Sequence, residues 1–314
     1  MSLWRNNKGG SILKIGLMDV DSHNFPNLAL MKISNYHKLK DDIVEFVKDF
    51  ESYDKVYKSK IFTFSEEKSM MFNCDNIFFG GTGYDLHNKL PDEIEKQFPD
   101  YSIYPQYDYA VGFLTRGCPR NCPFCIVGEK EGFTSYKVSD LDSFYDGQKE
   151  IKLLDPNITA CNDRIDLLSQ LSKTKAKIDF TQGLDIRFMT DDVIDLILQM
   201  NVKMLHFAYD RMNQCELIER NLFNFQKKSG YKRNKVSVFV LVNYETTLEE
   251  DLYRLEYIRS LNFQPYVMIY DKQKLKRGKS IYLRLQRWVN NPRFFWEYES
   301  FEKYQNENYK TKWI

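Results

Sequence analysis

The 314-residue sequence lacks any run close to the roughly twenty consecutive apolar residues of a membrane-spanning helix, so no membrane partner is expected. It also lacks an excess of either charge. The 45 basic side chains are matched by 44 acidic ones, which leaves no global basic field, so charge does not imply nucleic acid as a partner. The opening residues, MSLWRNNKGGSILKIG, hold no apolar stretch of the kind that directs secretion and read as a short polar lead before a strand at Leu13. Cysteine is scarce: six in a chain of this size make no disulfide framework and point to a reducing, cytoplasmic compartment. There is no internal repeat and no low-complexity tract. Core material is plentiful, at 43 % hydrophobic and 15 % aromatic, which excludes wholesale disorder and suits a barrel-like domain with a small appendage.

The segment LKIGLMDVD from Leu13 is an apolar run ending in polar residues, as a buried parallel strand would be. After Pro26, the residues Leu28, Leu30, Met31, Ile33 and Tyr36 fit a helix opened by proline. IVEFV, KVYKSKIFTF and NIFFGG then predict three more strands, giving a small α/β unit over residues 13–100. Pro91, Pro99 and Pro105 lie in a polar, tyrosine-rich connection. Beyond it, six short apolar segments (AVGFLT, IKLLD, KIDFTQG, KMLHFAYD, KVSVFVLVN and PYVMIYD) alternate with helical ones such as DDVIDLILQM and LEEDLYRLEYIRSLN. This predicts a partial (β/α)6 TIM-like barrel over residues 101–275, with its chemistry at the strand C-terminal ends. Residues 276–314 read as a helical, aromatic extension.

Just after the first barrel strand, TRGCPRNCPFC places Cys118, Cys122 and Cys125 in a C-x3-C-x2-C spacing. Thiolates bind iron, and a cubane cluster held by three of them keeps one iron open to a small molecule. Gly117, Pro119 and Pro123 favour a tight non-helical loop around such a cluster. Structural zinc is the plainer alternative, but it asks for a fourth Cys or His that is not nearby. The remaining cysteines, Cys74, Cys161 and Cys215, are scattered; the last two sit in helical stretches as small hydrophobes.

The triplet, with the aromatic Phe124 before its last cysteine, resembles the defining motif of the radical SAM superfamily over roughly residues 108–271. The resemblance implies a [4Fe–4S] cluster on the three cysteines and S-adenosylmethionine chelated at the open iron. It also implies reductive cleavage of the sulfur–C5′ bond to methionine and a 5′-deoxyadenosyl radical, with an electron donor such as a flavodoxin or ferredoxin. Asp155 and Asn157 stand where the family has a GGE-like segment for the methionine amino group, although an aspartate at a strand end is also a common helix cap. Gln182, Asp185 and Arg187 end the third strand, and Arg187 suits a carboxylate. Its plainer reading is a surface ion pair with Asp185. Asp210 ends the fourth strand. Asn243 and Glu245 end the fifth in a segment similar to the family's G-x-I-x-G-x-x-E, with valines for both glycines. His206 reads as a satisfied core histidine.

In the N-terminal unit, Asp19, Asp21 and His23, then Ser59 and Ile61, then Gly80 and Gly81, echo the D-x-H-x-x-G, S-x-L and G-G order of cobalamin-binding domains. Pro26 replaces the glycine after the histidine. The expectation is a degenerate, Rossmann-like relative of such domains without firmly bound cobalamin. The leading function is a radical SAM enzyme acting on an unidentified substrate. A cobalamin-dependent radical SAM methyltransferase and a non-catalytic iron–sulfur binding or redox protein are the alternatives.

Overall fold

A computed structural model describes residues 11–276 and 280–309; the polar lead and the end of the expected extension lie outside the described residues. The chain divides into two compact units. The first runs to Val111 and includes Asp142–Asp146; the second comprises Gly112–Leu141 and the chain from Gly147 onward.

In the first unit β1 (Lys14–Asp19) is the apolar run predicted at Leu13, and it pairs in parallel with β2 (Ile43–Phe46) and β3 (Lys55–Ser59). The edge strand β4 (Ile77–Gly80) completes the order β2-β1-β3-β4. Alternation along β1 sends Ile15 and Leu17 toward α1 (Leu28–Lys38), where they pack with Leu30, Ile33 and Ile94. Met18 points the other way, into a cluster with Val47, Tyr53 and Val56. Full burial of each such side chain contributes about 1.5–3 kcal/mol. Helix α1 is capped by Asn27, whose side chain accepts from Leu30 N at 3.2 Å, so Pro26 precedes the cap and does not open the helix. The predicted strand KVYKSKIFTF stops at Ser59 because the Asp21 carboxylate takes the N–H groups of Ile61 (2.7 Å) and Phe62 (2.8 Å). A short helix, α2 (Asp92–Glu95), brings Ile94 to the core.

The six expected barrel segments all form strands: β5 (Ala110–Gly112), β8 (Glu150–Leu153), β9 (Lys177–Phe180), β10 (Asn201–Ala208), β11 (Val236–Val242) and β12 (Gln264–Ile269). AVGFLT is broken, since β6 (Thr115–Arg116) leaves the sheet to pair antiparallel with β7 (Tyr136–Lys137); α3 (Val127–Glu131) lies between them. The sheet order β12-β11-β10-β9-β8-β5 follows the sequence. The crossovers are α4 (Arg164–Ser172), α5 (Asp191–Gln199), α6 (Cys215–Ser229) and α7 (Leu248–Ser260). Right-handed crossovers that all step the same way put every helix on one face. Accordingly Ile151, Ile178, Phe207, Val238 and Val267 are buried, while their alternates Lys152, Asp179, His206, Phe239 and Tyr266 are not. β12 and β5 are separate edges, so the sheet is open among the described residues and no closed barrel forms.

Helix α7 opens with a capping box between Thr247 and Glu250. It carries a fully buried Arg254, which ties the end of β10 to β11 by donating to Tyr209 O (2.6 Å) and Leu241 O (3.0 Å). The aromatic extension forms α8 (Ile281–Val289), α9 (Pro292–Glu297) and α10 (Phe301–Asn308), with the Trp288 ring 4.9 Å from Phe295 and 5.5 Å from Phe301.

Candidate functional site

The cysteine loop begins where β5 loses its partner. The buried Asp155 carboxylate, just past β8, accepts from Leu114 N (3.1 Å), Thr115 N (2.5 Å) and Thr115 Oγ1 (2.7 Å) and turns the chain out of the sheet. Burial pushes its pKa up to about 6, although all three donors favour the carboxylate. At the next corner Gly117 has φ +78°, and a Cβ there would stand 2.0 Å from Thr134 O, so only glycine fits. Glu131 holds the corner from the other side, accepting from Arg116 Nη1 (2.8 Å) and Gly117 N (3.2 Å).

Residues 118–125 then run without helix. The thiols of Cys118 and Cys122 are half-buried and that of Cys125 is exposed. Burial raises the Cys122 pKa, and Asp210, Cys125 and Cys118 add to the rise while Arg187 opposes it. Burial likewise raises Cys125, with Cys118, Asp210 and Glu131 adding to it. Cys122 and Cys125 therefore both feel Asp210 and Cys118. Among the described residues no three His, Cys, Asp or Glu side chains converge as ligands of a single ion. A cubane cluster is a wider body than one ion, and three soft thiols on one non-helical loop are a donor set that fits it.

The loop is fastened to the C-terminal ends of β8 and β9. Asn157 Nδ2 donates to Cys118 Sγ (3.4 Å) and to Asp185 Oδ2 (3.3 Å), while Arg120, from inside the cysteine motif, pairs with Asp185. Arg187 Nε reaches the other carboxylate oxygen at 2.6 Å. Burial works against the charged form of Asp185, but Arg187 and Arg120 outweigh it and hold its carboxyl below the ordinary range.

The ion pair weighed as the plain reading of Arg187 thus forms, and its Nη1 also donates to Gln214 at 2.7 Å. Asp155 is enclosed by loop backbone and does not offer a free carboxylate to an amino group. Glu245 is paired with Arg211 (2.8 Å), and Gln182 is exposed. Asn243 (φ +64°) and Glu245 (φ +49°) turn the chain through left-handed backbone. Phe124 meets the ring of Tyr244 edge-on at 5.1 Å, and Tyr244 meets Tyr270 at 4.7 Å. Asp210 accepts from Leu241 N at 2.9 Å, and burial raises its pKa against the pull of Arg254 and Arg187.

Arg120, Tyr244 and Tyr270 escaped sequence reasoning. A cation between two motif cysteines was the available signal for Arg120; nothing local marks the tyrosines. Cys161 proves to be non-helical, buried after the turn Ile158–Ala160, whereas Cys215 opens α6. His206 is not a satisfied core residue: its buried Nδ1 finds no hydrogen-bond partner among the described residues.

The first unit holds a cavity of about 390 Å³ at the C-terminal ends of β1 and β2, lined by Asp19, His23, Phe46, Met70, Tyr104 and Tyr107 among others. Tyr104 Oη donates to Asp19 Oδ2 at 2.6 Å. Ser59 is buried and accepts from Asn27 Nδ2 at 2.9 Å, so it is occupied with strand-end structure.

No family model matches the sequence, and no curated protein does. Among solved structures the chain is similar to that of the radical S-adenosylmethionine methyltransferase TsrM from Kitasatospora setae, determined with cobalamin and a [4Fe–4S] cluster bound. The match covers 82 % of this chain and 74 % of that one at TM-score 0.61 and 10 % identity. At that identity the likeness is one of fold alone.

Proposed function

We propose that this chain is a radical SAM enzyme whose six-stranded sheet acts as a partial barrel and whose Cys118, Cys122 and Cys125 hold a [4Fe–4S] cluster. The observation that carries this reading is the fastening of the cysteine loop, through Asn157 and Arg120, to the C-terminal ends of two successive parallel strands. When bound, the cluster supplies an open iron and one electron for cleavage of the sulfur–C5′ bond of S-adenosylmethionine. The chain's own residues hold the geometry. Asp155 and Gly117 set the exit angle of the loop, and Asn157 orients the Cys118 sulfur. The Arg120–Asp185–Arg187 group leaves one net positive charge beside the loop, and Phe124, Tyr244 and Tyr270 form an apolar wall suited to a purine ring. The net reaction follows from the substrate, which these residues do not define.

The test is anaerobic reconstitution with iron and sulfide, then reduction in the presence of S-adenosylmethionine. The expected outcome is about four irons per chain and release of 5′-deoxyadenosine. Stoichiometric zinc with no iron uptake would sink the reading.

A second reading, a cobalamin-dependent methyltransferase, is favoured by one observation: the cavity at the end of β1 that includes His23. The cavity alone is small for a corrin with its nucleotide tail, and the Asp21 carboxylate accepts from Ile61 and Phe62 and makes no hydrogen bond to His23 among the described residues. Titration with hydroxocobalamin, followed in the visible spectrum for the native chain and His23→Ala, separates the two. Stoichiometric binding that changes on loss of His23 places the second reading first.

A further inference from the structure

The face of the six-stranded sheet opposite its helices carries a flat aromatic floor that the cluster chemistry does not use. The register pairs Ala208 with Phe239 and Phe239 with Tyr266, so the outward side chains of three neighbouring strands lie side by side. The His206 ring lies parallel to Phe239, with centroids 5.0 Å apart and 3° between planes, and Tyr266 meets Phe239 edge-on at 5.8 Å. Parity puts Met268 on the same face, beside Leu241; Tyr266 and Met268 remain 45 % and 38 % exposed. Four residues beyond His206, just past the end of β10, Asp210 acts on Cys122 and Cys125.

His206 is the polar element of this floor. Neither ring nitrogen bonds to a described residue, and only Nδ1 is shut away from solvent. An orphaned bare nitrogen costs less than an orphaned N–H. The proton of the neutral imidazole therefore sits on Nε2, the accessible nitrogen, a donor without an acceptor among the described residues. Burial lowers the pKa of the ring, in keeping with the neutral form. The backbone at His206 is fixed: Leu184 N donates to its carbonyl at 2.7 Å, and Gly183 (φ +96°) passes so close that a Cβ would lie 3.2 Å from that oxygen.

We propose that this floor is the substrate subsite and that it selects a planar aromatic group carrying a hydrogen-bond acceptor. The ring rests against Phe239 and Tyr266, and the acceptor takes the Nε2–H of His206. The proposal rests on the radical SAM reading for the word substrate, but the binding site itself does not require the cluster. Aromatic faces favour offset or edge-on rings over saturated ones of equal size, and the histidine adds one hydrogen bond.

Acetophenone and cyclohexyl methyl ketone form a matched pair, with the same carbonyl acceptor on a flat or a saturated ring. Their affinities would be measured by ligand-observed NMR on the full chain, before and after iron reconstitution, alongside His206→Phe and Phe239→Leu. Saturable binding of acetophenone is expected, at least about fivefold tighter than the saturated ketone. His206→Phe, which keeps a flat ring, should weaken it about three- to tenfold, and Phe239→Leu should erase the preference between the ketones. Equal affinity for both, no saturable binding at millimolar concentration, or no change in either variant overturns the proposal. So does competitive displacement of acetophenone by S-adenosylmethionine, which would assign the floor to that molecule. Failure here with normal iron uptake leaves the cluster reading standing, and the reverse result separates the two equally well.

Discussion

The four-stranded sheet reverses its winding after β2, returning past β1 to lay down β3, whereas the six-stranded sheet never reverses. Each choice makes a different kind of hollow. A reversal opens a crevice beyond the ends of the two strands it separates, here β1 and β3; the cavity of the first unit lies beside it, at the ends of β1 and β2, and is closed by Lys68, Met70, Tyr104 and Tyr107 from the loops. A sheet wound one way has no such crevice. It offers instead one whole face free of helices, and its rim must be built by side chains that pull loops into place. The first hollow is therefore shared among many residues of several segments and the second is built by a few particular ones, so single substitutions should disturb the second far more than the first.

The largest expected contrast is in iron. Alanine at Cys118, Cys122 or Cys125 should take reconstituted iron from about four per chain to near none, while Cys74→Ala in the first unit and Cys215→Ala should leave it unchanged. Iron loss from Cys74→Ala, measured by the same assay, would break the division of labour between the units.

A smaller contrast lies in two glycines. Gly117→Ala forces a Cβ against Thr134 O at positive φ and should destabilise by about 3 kcal/mol or more in urea unfolding. Gly80→Ala, with nothing within 4 Å of the new Cβ, should change stability by less than about 1 kcal/mol. Similar costs at both positions would mean that the corner at Gly117 is not as tightly built as its geometry shows.

The smallest effect is a pH dependence at Asp155. Its folded pKa, about 6, lies above the ordinary aspartate value of 3.8. The stability it contributes is thus complete below the unfolded pKa and is lost as pH rises through about 6. On acidifying from near pH 7.5 to near pH 5, the native chain should gain on the order of 1–2 kcal/mol from this group. Asp155→Asn should remove that gain, as read from urea midpoints at the two pH values. An identical pH slope in the variant would show that the carboxylate does not titrate in this range.

The strands were legible because short parallel strands rich in buried side chains read as apolar runs, and LKIGLMD, KVSVFVLVN and their neighbours are such runs. The breaks in the runs were not. β3 ends at Ser59 because of Asp21, and the β5 segment ends at Gly112 because of Asp155, about forty residues away in either case. Such side-chain to backbone bonds leave no local trace. The cysteine spacing was readable as it stood, and so was the Asp185–Arg187 pair. The roles of Asp155 and Glu245 were not, because each is decided by a partner that only the fold supplies. The orphaned nitrogen of His206 belongs to the same category: a histidine in a strand reads as ordinary until its surroundings are known.

The strand order has a consequence for how the protein is made. In the six-stranded sheet every strand pairs with the one synthesised just before it, so the sheet can grow strand by strand as the chain emerges. The first unit cannot close on the same schedule. It needs Asp142–Asp146, whose Phe144 carbonyl accepts from Tyr101 Oη at 2.6 Å, and those residues follow the whole cysteine loop in sequence. The loop is therefore translated, and exposed to whatever it binds, before the unit ahead of it is complete.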